Sequence, residues 1–181
     1  MALMTIDDAN GLSGAVASAA SGDEYAFARI VAAHHDDMAR VAYVVCRDID
    51  LAQEAVQEAW SVAWRKLPKL REPDRLRPWL VAIAANEARQ MMRGNRRRVV
   101  RELAFEPLGD LVLDPASLAA ALDLRNALNR LSPDDRALLA LRYVAGLDST
   151  ELSRAIGLSP SGTRARLGRL LSTLREELDR V

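Results

Sequence analysis

The chain has 181 residues, half of them hydrophobic, which is enough apolar material for real cores and excludes wholesale disorder. The 25 basic and 25 acidic side chains balance, no apolar run approaches the roughly 18 residues a membrane span needs, and Cys46 is the only cysteine, so an internal disulfide and a multi-cysteine metal cluster are excluded. The first residues carry Asp7 and Asp8 and no basic side chain, unlike the positive start of a secretory signal, so a cytoplasmic location is expected.

Taken in chain order, the residues predict an all-α protein: β-branched alternation is missing, and Ala, Leu, Arg and Glu dominate. Residues 1–21 are small and polar and read as a disordered tail. Helices are predicted over about 23–33, 36–46 and 50–66. The segment LPKLREPDRLRP follows, and its Pro68, Pro73 and Pro78 mark a loop. A long helix is then predicted from Arg75 or Pro78 to Arg98. Residues 99–117, with Pro107, Gly109, Pro115 and scattered acids, read as an acidic linker. Four further helices are predicted near 118–130, 133–145, 149–156 and 160–179. The result is two small helical domains, 22–98 and 118–181, joined by a flexible linker.

The neutral total conceals alternation. Residues 1–64 hold 3 basic and 10 acidic side chains, residues 65–101 hold 12 and 3, residues 102–135 hold 2 and 7, and residues 136–175 hold 7 and 2. Two separate basic blocks on definable helices suit two contacts with a polyanion, although solvated helix faces use charge in the same way.

The second basic block carries a helix-turn-helix pattern. Asp148 with Glu151 three residues on forms a capping box, and Leu152, Ala155 and Ile156 give one apolar face. Gly157 suits the left-handed residue that ends the helix, and Ser159 with Pro160 opens the next. On that second helix Thr163, Leu167, Leu170, Leu171 and Leu174 share a core face. Ser161, Gly162, Ala165 and Gly168 lie opposite, small enough to let the backbone enter a groove, with Arg164 and Arg166 on the flanks and Arg169 one turn on. An ordinary helical hairpin with exposed arginines would read the same way.

In the first block, Leu76, Trp79, Leu80, Ile83, Ala84 and Met91 make an apolar stripe, while Asn86, Arg89, Arg93 and Arg96 follow one another on the other side. Arginines with one asparagine on a single stripe suit phosphate contact with limited base reading. Glu87 falls on the apolar side and calls for a basic partner. The preceding helix is acidic and carries Trp60 and Trp64 at i and i+4, a pair that suits either the core or a protein-docking surface. No catalytic constellation or phosphate-binding glycine loop occurs. His34 and His35 are neighbours on different helix faces and read as exposed polar residues rather than co-ligands.

Three stretches in order resemble one family, the extracytoplasmic-function sigma factors of bacterial RNA polymerase. AQEAVQEAWSVAW resembles the family's region 2.2, RLRPWLVAIAANEARQMMR its regions 2.3 and 2.4, and LSPDDRALLALRYVAGLDSTELSRAIGLSPSGTRARLGRLLSTL its region 4. The resemblance covers residues 23–98 and 119–178. It implies that Glu54, Gln57 and Glu58, with Trp60 and Trp64, dock on the clamp helices of the polymerase's largest subunit. It implies that the loop Lys69, Leu70, Arg71, Arg75, Leu76 holds a flipped base of the −10 element, with Asn86, Arg89, Arg93 and Arg96 on the surrounding strand. Region 4 would bind the −35 duplex through Arg142, Ser159, Ser161, Thr163, Arg164, Ala165, Arg166 and Arg169, and would also meet the flap of the second-largest (β) subunit. The implied partners are core polymerase through its beta and beta-prime subunits, promoter DNA and an anti-sigma factor. No cofactor, metal, membrane or small-molecule substrate is implied, and no enzymatic activity. The acidic linker would lie in a basic channel until the transcript displaces it. Departures are Leu51 and Gln53 where acids are usual, Leu76 for an aromatic, Gln90 for an aspartate, and the small Ala165 and Gly168 at positions often polar. Two other readings of the residues stay open: a stand-alone helix-turn-helix regulator that binds duplex DNA without polymerase, and a helical adaptor that binds only protein.

Overall fold

A computed structural model describes residues 14–94 and 115–179, with the side chains of the last helical group described from Leu122 onward. Every regular element among them is helical. A short helix, α1, covers residues 14–20, where a disordered tail was expected over 1–21; Ala15, Val16 and Ala19 are buried on one face of it. The spacing i, i+1, i+4 of these small apolar groups is what lets so short a segment dock.

Helix α2 spans Glu24–Cys46 without interruption. Two helices were expected here, but the His34-His35-Asp36 stretch contains no breaker, and the apolar positions Ile30, Met38, Val41 and Val45 keep one register through it. Asp23 caps its start by accepting from the backbone N–H of Tyr25 and Ala26 at 2.9 and 3.1 Å. Its end is closed by Arg47 in the left-handed region at φ 59°, and Asp48 caps the next helix at once through the Leu51 N–H. The turn between the two helices is therefore only Arg47 and Asp48.

Helix α3 spans Ile49–Lys66 and α4 spans Leu76–Gly94, joined by two single 3₁₀ turns at Leu67–Lys69 and Pro73–Arg75. The prolines set that irregularity by withholding backbone donors. These three helices pack together around a core rich in alanine: Ala42, Ala55, Ala59, Ala63, Ala84 and Ala88 are all fully buried. Small contact residues let helix axes approach closely. Ile30, Met38, Val41, Val45, Leu80 and Val81 fill the remaining space. His34 lies on this core face and is 5 % exposed, contrary to the expectation of an exposed side chain; His35, on the next face, is exposed.

The second module comprises α5 (Pro115–Arg130), α6 (Pro133–Leu139), α7 (Ser149–Ile156) and α8 (Pro160–Leu178). Helix α5 thus begins within the expected linker. The expectation of a helix over 133–145 holds in outline, but its second half, Ala140–Val144, is π-helical, with the Ala145 N–H reaching the Ala140 carbonyl. Helix α6 opens on Ser132, whose hydroxyl accepts from the Asp135 N–H and donates to the Asp135 carboxylate at 2.7 Å.

The two modules are in contact. Helix α6 and its π continuation pack on α2 and α4, and α7 packs on α4. Arg136, 5 % exposed, donates from Nε to the Val45 carbonyl at 2.7 Å and from Nη1 to the Leu131 carbonyl at 2.9 Å. It thereby caps the end of α2 from the other module. Arg77 joins Asp37 at 2.6 Å and the Ala145 carbonyl at 2.7 Å.

Candidate nucleic-acid interface

In the helix-turn-helix the local chemistry is built as the residues dictate. The Asp148 carboxylate accepts from Thr150 and Glu151 N–H at 2.7 and 2.8 Å, and Glu151 accepts from the Asp148 N–H at 2.9 Å, completing the capping box. These bonds hold the Asp148 carboxyl below its ordinary range. Gly157 adopts φ 70°, and the Ser159 hydroxyl accepts from the Gly162 N–H at 3.1 Å. Leu152, Thr163, Leu170 and Leu174 are buried, and Leu167 and Leu171 are half-buried, so the core face of α8 is the expected one.

The opposite face of α8 presents Ser161, Arg164, Ala165, Gly168 and Arg169 to solvent. A Cβ built on Gly168 would meet nothing within 4 Å, so no packing among the described residues calls for glycine there. The flanking Arg166 differs from Arg164. Its guanidinium grips Asp135 through Nε at 3.1 Å and Nη2 at 2.8 Å, tying α8 to α6. Arg142 is also engaged, donating to the Leu147 carbonyl at 2.6 Å and bracing the approach to α7.

The second face lies on α4 and the loop before it. A groove of about 630 Å³ is bordered by Lys69, Arg71, Arg75, Trp79 and Asn86, and by Glu151 of the helix-turn-helix. Lys69 and Arg71 are exposed, Leu70 is half-buried, and Arg75 pairs with Glu72. Leu76 stands apart from this set: at 3 % exposure it belongs to the core. Asn86 accepts from Arg89 Nη2 at 2.9 Å, which fixes the amide beside the groove. Glu87 finds amides rather than the expected cation, accepting from Asn86 and Gln90 at 3.4 and 3.3 Å. Arg89 and Arg93 converge on one carboxylate, Asp134 at the start of α6, at 3.6 and 2.8 Å. Burial lowers the Arg89 guanidinium from its ordinary value, while the Asp134 charge works in the opposite sense. Arg96 and the acidic linker up to residue 114 lie outside the described residues.

A third surface is the outer side of α3. Glu54, Gln57 and Glu58 are exposed at i, i+3 and i+4, and Trp60 and Trp64 are half-buried beside them. Phe27 meets both tryptophan rings edge-on, with centroids 5.7 and 4.8 Å apart, and Trp60 Nε1 donates to His35 Nδ1 at 3.3 Å. The rings are therefore held in place with part of each left to solvent.

Sequence reasoning passed over Asp134, Asp135, Arg77 and Arg136. Asp134 and Asp135 read as first-turn acids at a helix N-terminus, and only the fold reveals the arginines they meet. Burial depresses the His34 imidazole against the opposing effect of Asp37, and raises the Cys46 thiol to about 12. No group of three or more His, Cys, Asp or Glu that could hold a metal occurs among the described residues.

Two helical modules, one with a helix-turn-helix and one with a basic helix beside a groove, are the architecture of a DNA-binding protein. The family models for sigma-70 region 2 and sigma-70 region 4 match residues 30–98 and 121–174. The RNA polymerase sigma factor CnrH of Cupriavidus metallidurans is 32% identical over 182 residues, spanning 90% of this chain and 92% of CnrH. The chain belongs to the extracytoplasmic-function sigma factors. The probable RNA polymerase sigma factor RfaY of Xanthomonas campestris pv. campestris is 34% identical over 171 residues, and the matched part is 42% of that protein's length. The solved structure of CnrH with the cytosolic domain of CnrY has a TM-score of 0.66 at 26% identity, covering 93% of this chain and 97% of that one. The sigma factor RpoE of Bartonella quintana, solved with the anti-sigma factor NepR, shares the fold with a TM-score of 0.69, over 84% of this chain and 96% of that one.

Proposed function

We propose that this chain binds core RNA polymerase and directs it to promoters that carry −10 and −35 elements, promoting initiation there. The observation that carries this reading is the joining in one chain of a built helix-turn-helix with a basic α4 face beside a groove, in the order of sigma regions 2 and 4. Opening a duplex costs stacking, and capture of an unstacked base in a groove offsets a few kcal/mol of it. Lys69 and Arg71 supply positive charge at the mouth of that groove, and Trp79 supplies an apolar wall. The exposed small-residue face of α8 suits close approach to the major groove, with Arg164 and Arg169 free to reach bases and phosphates. Two linked contacts raise each other's effective concentration on one template.

The α3 face with Glu54, Gln57, Glu58, Trp60 and Trp64 docks on the beta-prime subunit, and region 4 meets the beta subunit. The protein acts without catalysis of its own, in the cytoplasm where the polymerase works. Restraint by an anti-sigma factor is part of the reading, since the relatives CnrH and RpoE were solved with such partners or with CnrY. Run-off transcription with purified core enzyme on a library of promoter fragments tests it. A discrete promoter-dependent product only when the chain is added is the expected result, and no product on any fragment would end the assignment.

A further inference from the structure

We infer that His35 is a positioning residue for the polymerase-docking face: its Nδ1 holds the Trp60 indole in the pose that α3 offers to a partner. This role rests on the proposed docking of α3 on core polymerase, and it gives a task to a histidine that no other contact explains.

The indole is held at two points, both on α2. Phe27 meets it edge-on with centroids 5.7 Å apart. About two turns further along α2, His35 Nδ1 accepts from the Trp60 Nε1–H at 3.3 Å. A tryptophan side chain turns about two bonds, so an edge contact and a bond to its N–H together select one orientation. Phe27 also meets Trp64, with centroids 4.8 Å apart, so both tryptophans of α3 lean on one brace. Gln57 lies one turn before Trp60 on the same helix, exposed, and Glu58 is exposed beside it.

Stability does not call for the bond. Trp60 is half-buried and His35 exposed, so water would satisfy the indole N–H nearly as well. The packing of α3 against α2 and α4 comes from Ala55, Ala59 and Ala63, all fully buried. What the bond changes is the freedom of the ring. A large side chain that must be ordered during docking weakens binding, and a ring already held avoids that loss. The bond also fixes the imidazole tautomer: with Nδ1 accepting, the neutral ring carries its proton on Nε2. His34, the sequence neighbour, is buried on the core face of α2 and cannot substitute.

The test uses the full chain with His35→Asn, His35→Phe, Trp60→Phe, and the last two combined. Asparagine keeps an acceptor at the place of Nδ1, phenylalanine keeps a ring without one, and Trp60→Phe removes the donor. Each chain is titrated with core polymerase by biolayer interferometry, and the Trp60 indole N–H resonance is followed by NMR. Urea unfolding gives stability, and anisotropy of fluorescein-labelled single-stranded dT12 gives DNA binding. His35→Phe is expected to weaken core binding about fivefold, the mid-range effect of ordering one large side chain on association. It should shift the Trp60 resonance and leave urea midpoint and dT12 affinity at the wild-type value. His35→Asn should restore both core affinity and resonance. Added to Trp60→Phe, His35→Phe should change core affinity no further. Wild-type core affinity in His35→Phe would overturn the role, as would an equal loss in His35→Asn or an undiminished effect on the Trp60→Phe chain. A matching fall in urea midpoint or dT12 affinity would make the effect general and overturn it too. In each of these cases core binding by the wild-type chain leaves the sigma assignment standing, whereas a wild-type chain that does not bind core polymerase ends both.

Discussion

Gly168 shows how a single residue separates stability from function. It lies in mid-α8, exposed, with open space where a Cβ would stand. Glycine there costs the helix roughly 0.5–1 kcal/mol relative to alanine. Gly168→Ala is therefore expected to raise stability by about that amount in urea unfolding. Duplex binding should weaken, because the added methyl occupies the face the backbone offers to a groove. A variant both more stable and equally tight on DNA would remove this face from the interface. Its neighbours divide by what they touch. Arg164 and Arg169 are exposed, whereas Arg166 is engaged with Asp135, so its removal should loosen the seat of α8 on α6 as well as any DNA contact. The caps and the left-handed Gly157 were legible because each is settled within three or four residues. The burial of His34 was not, since a histidine carries no local mark of the helices that will cover it.

At the scale of elements, the recognition helix depends on a small partner. Helix α7 has eight residues, and Leu152 is its one fully buried large side chain. Leu152→Ala is expected to cost about 2–5 kcal/mol. The cost should fall on region 4, since α2, α3 and α4 bury their own alanine-lined core. Duplex −35 binding should collapse while dT12 binding survives, measured side by side by anisotropy. Equal loss of both would mean that the modules fold as one unit. Sequence periodicity reported the faces of α4 and α8 well, because apolar spacing records which side is covered. It split α2 in two, because two histidines and two aspartates obscure the register that Ile30, Met38 and Val41 carry through. The π turn at Ala140–Val144 escaped it too, because a π turn leaves the apolar spacing of a helix nearly intact.

At the scale of the molecule, the alternation of charge has two consequences. It gives region 2 and region 4 each a basic face, and it lets an acid of one module meet arginines of the other. The first was readable in the order of charged blocks. The second needs the packing of α6 on α2 and α4, which no local pattern encodes. Both basic faces are expected to serve one DNA molecule in the holoenzyme. The most direct measurement is a hydroxyl-radical footprint of core polymerase with the full chain on a promoter recovered from the run-off library. Two protected patches about 25 base pairs apart are predicted, the upstream one lost with Arg164→Ala and Arg169→Ala combined. A single patch with the wild-type chain would contradict the account.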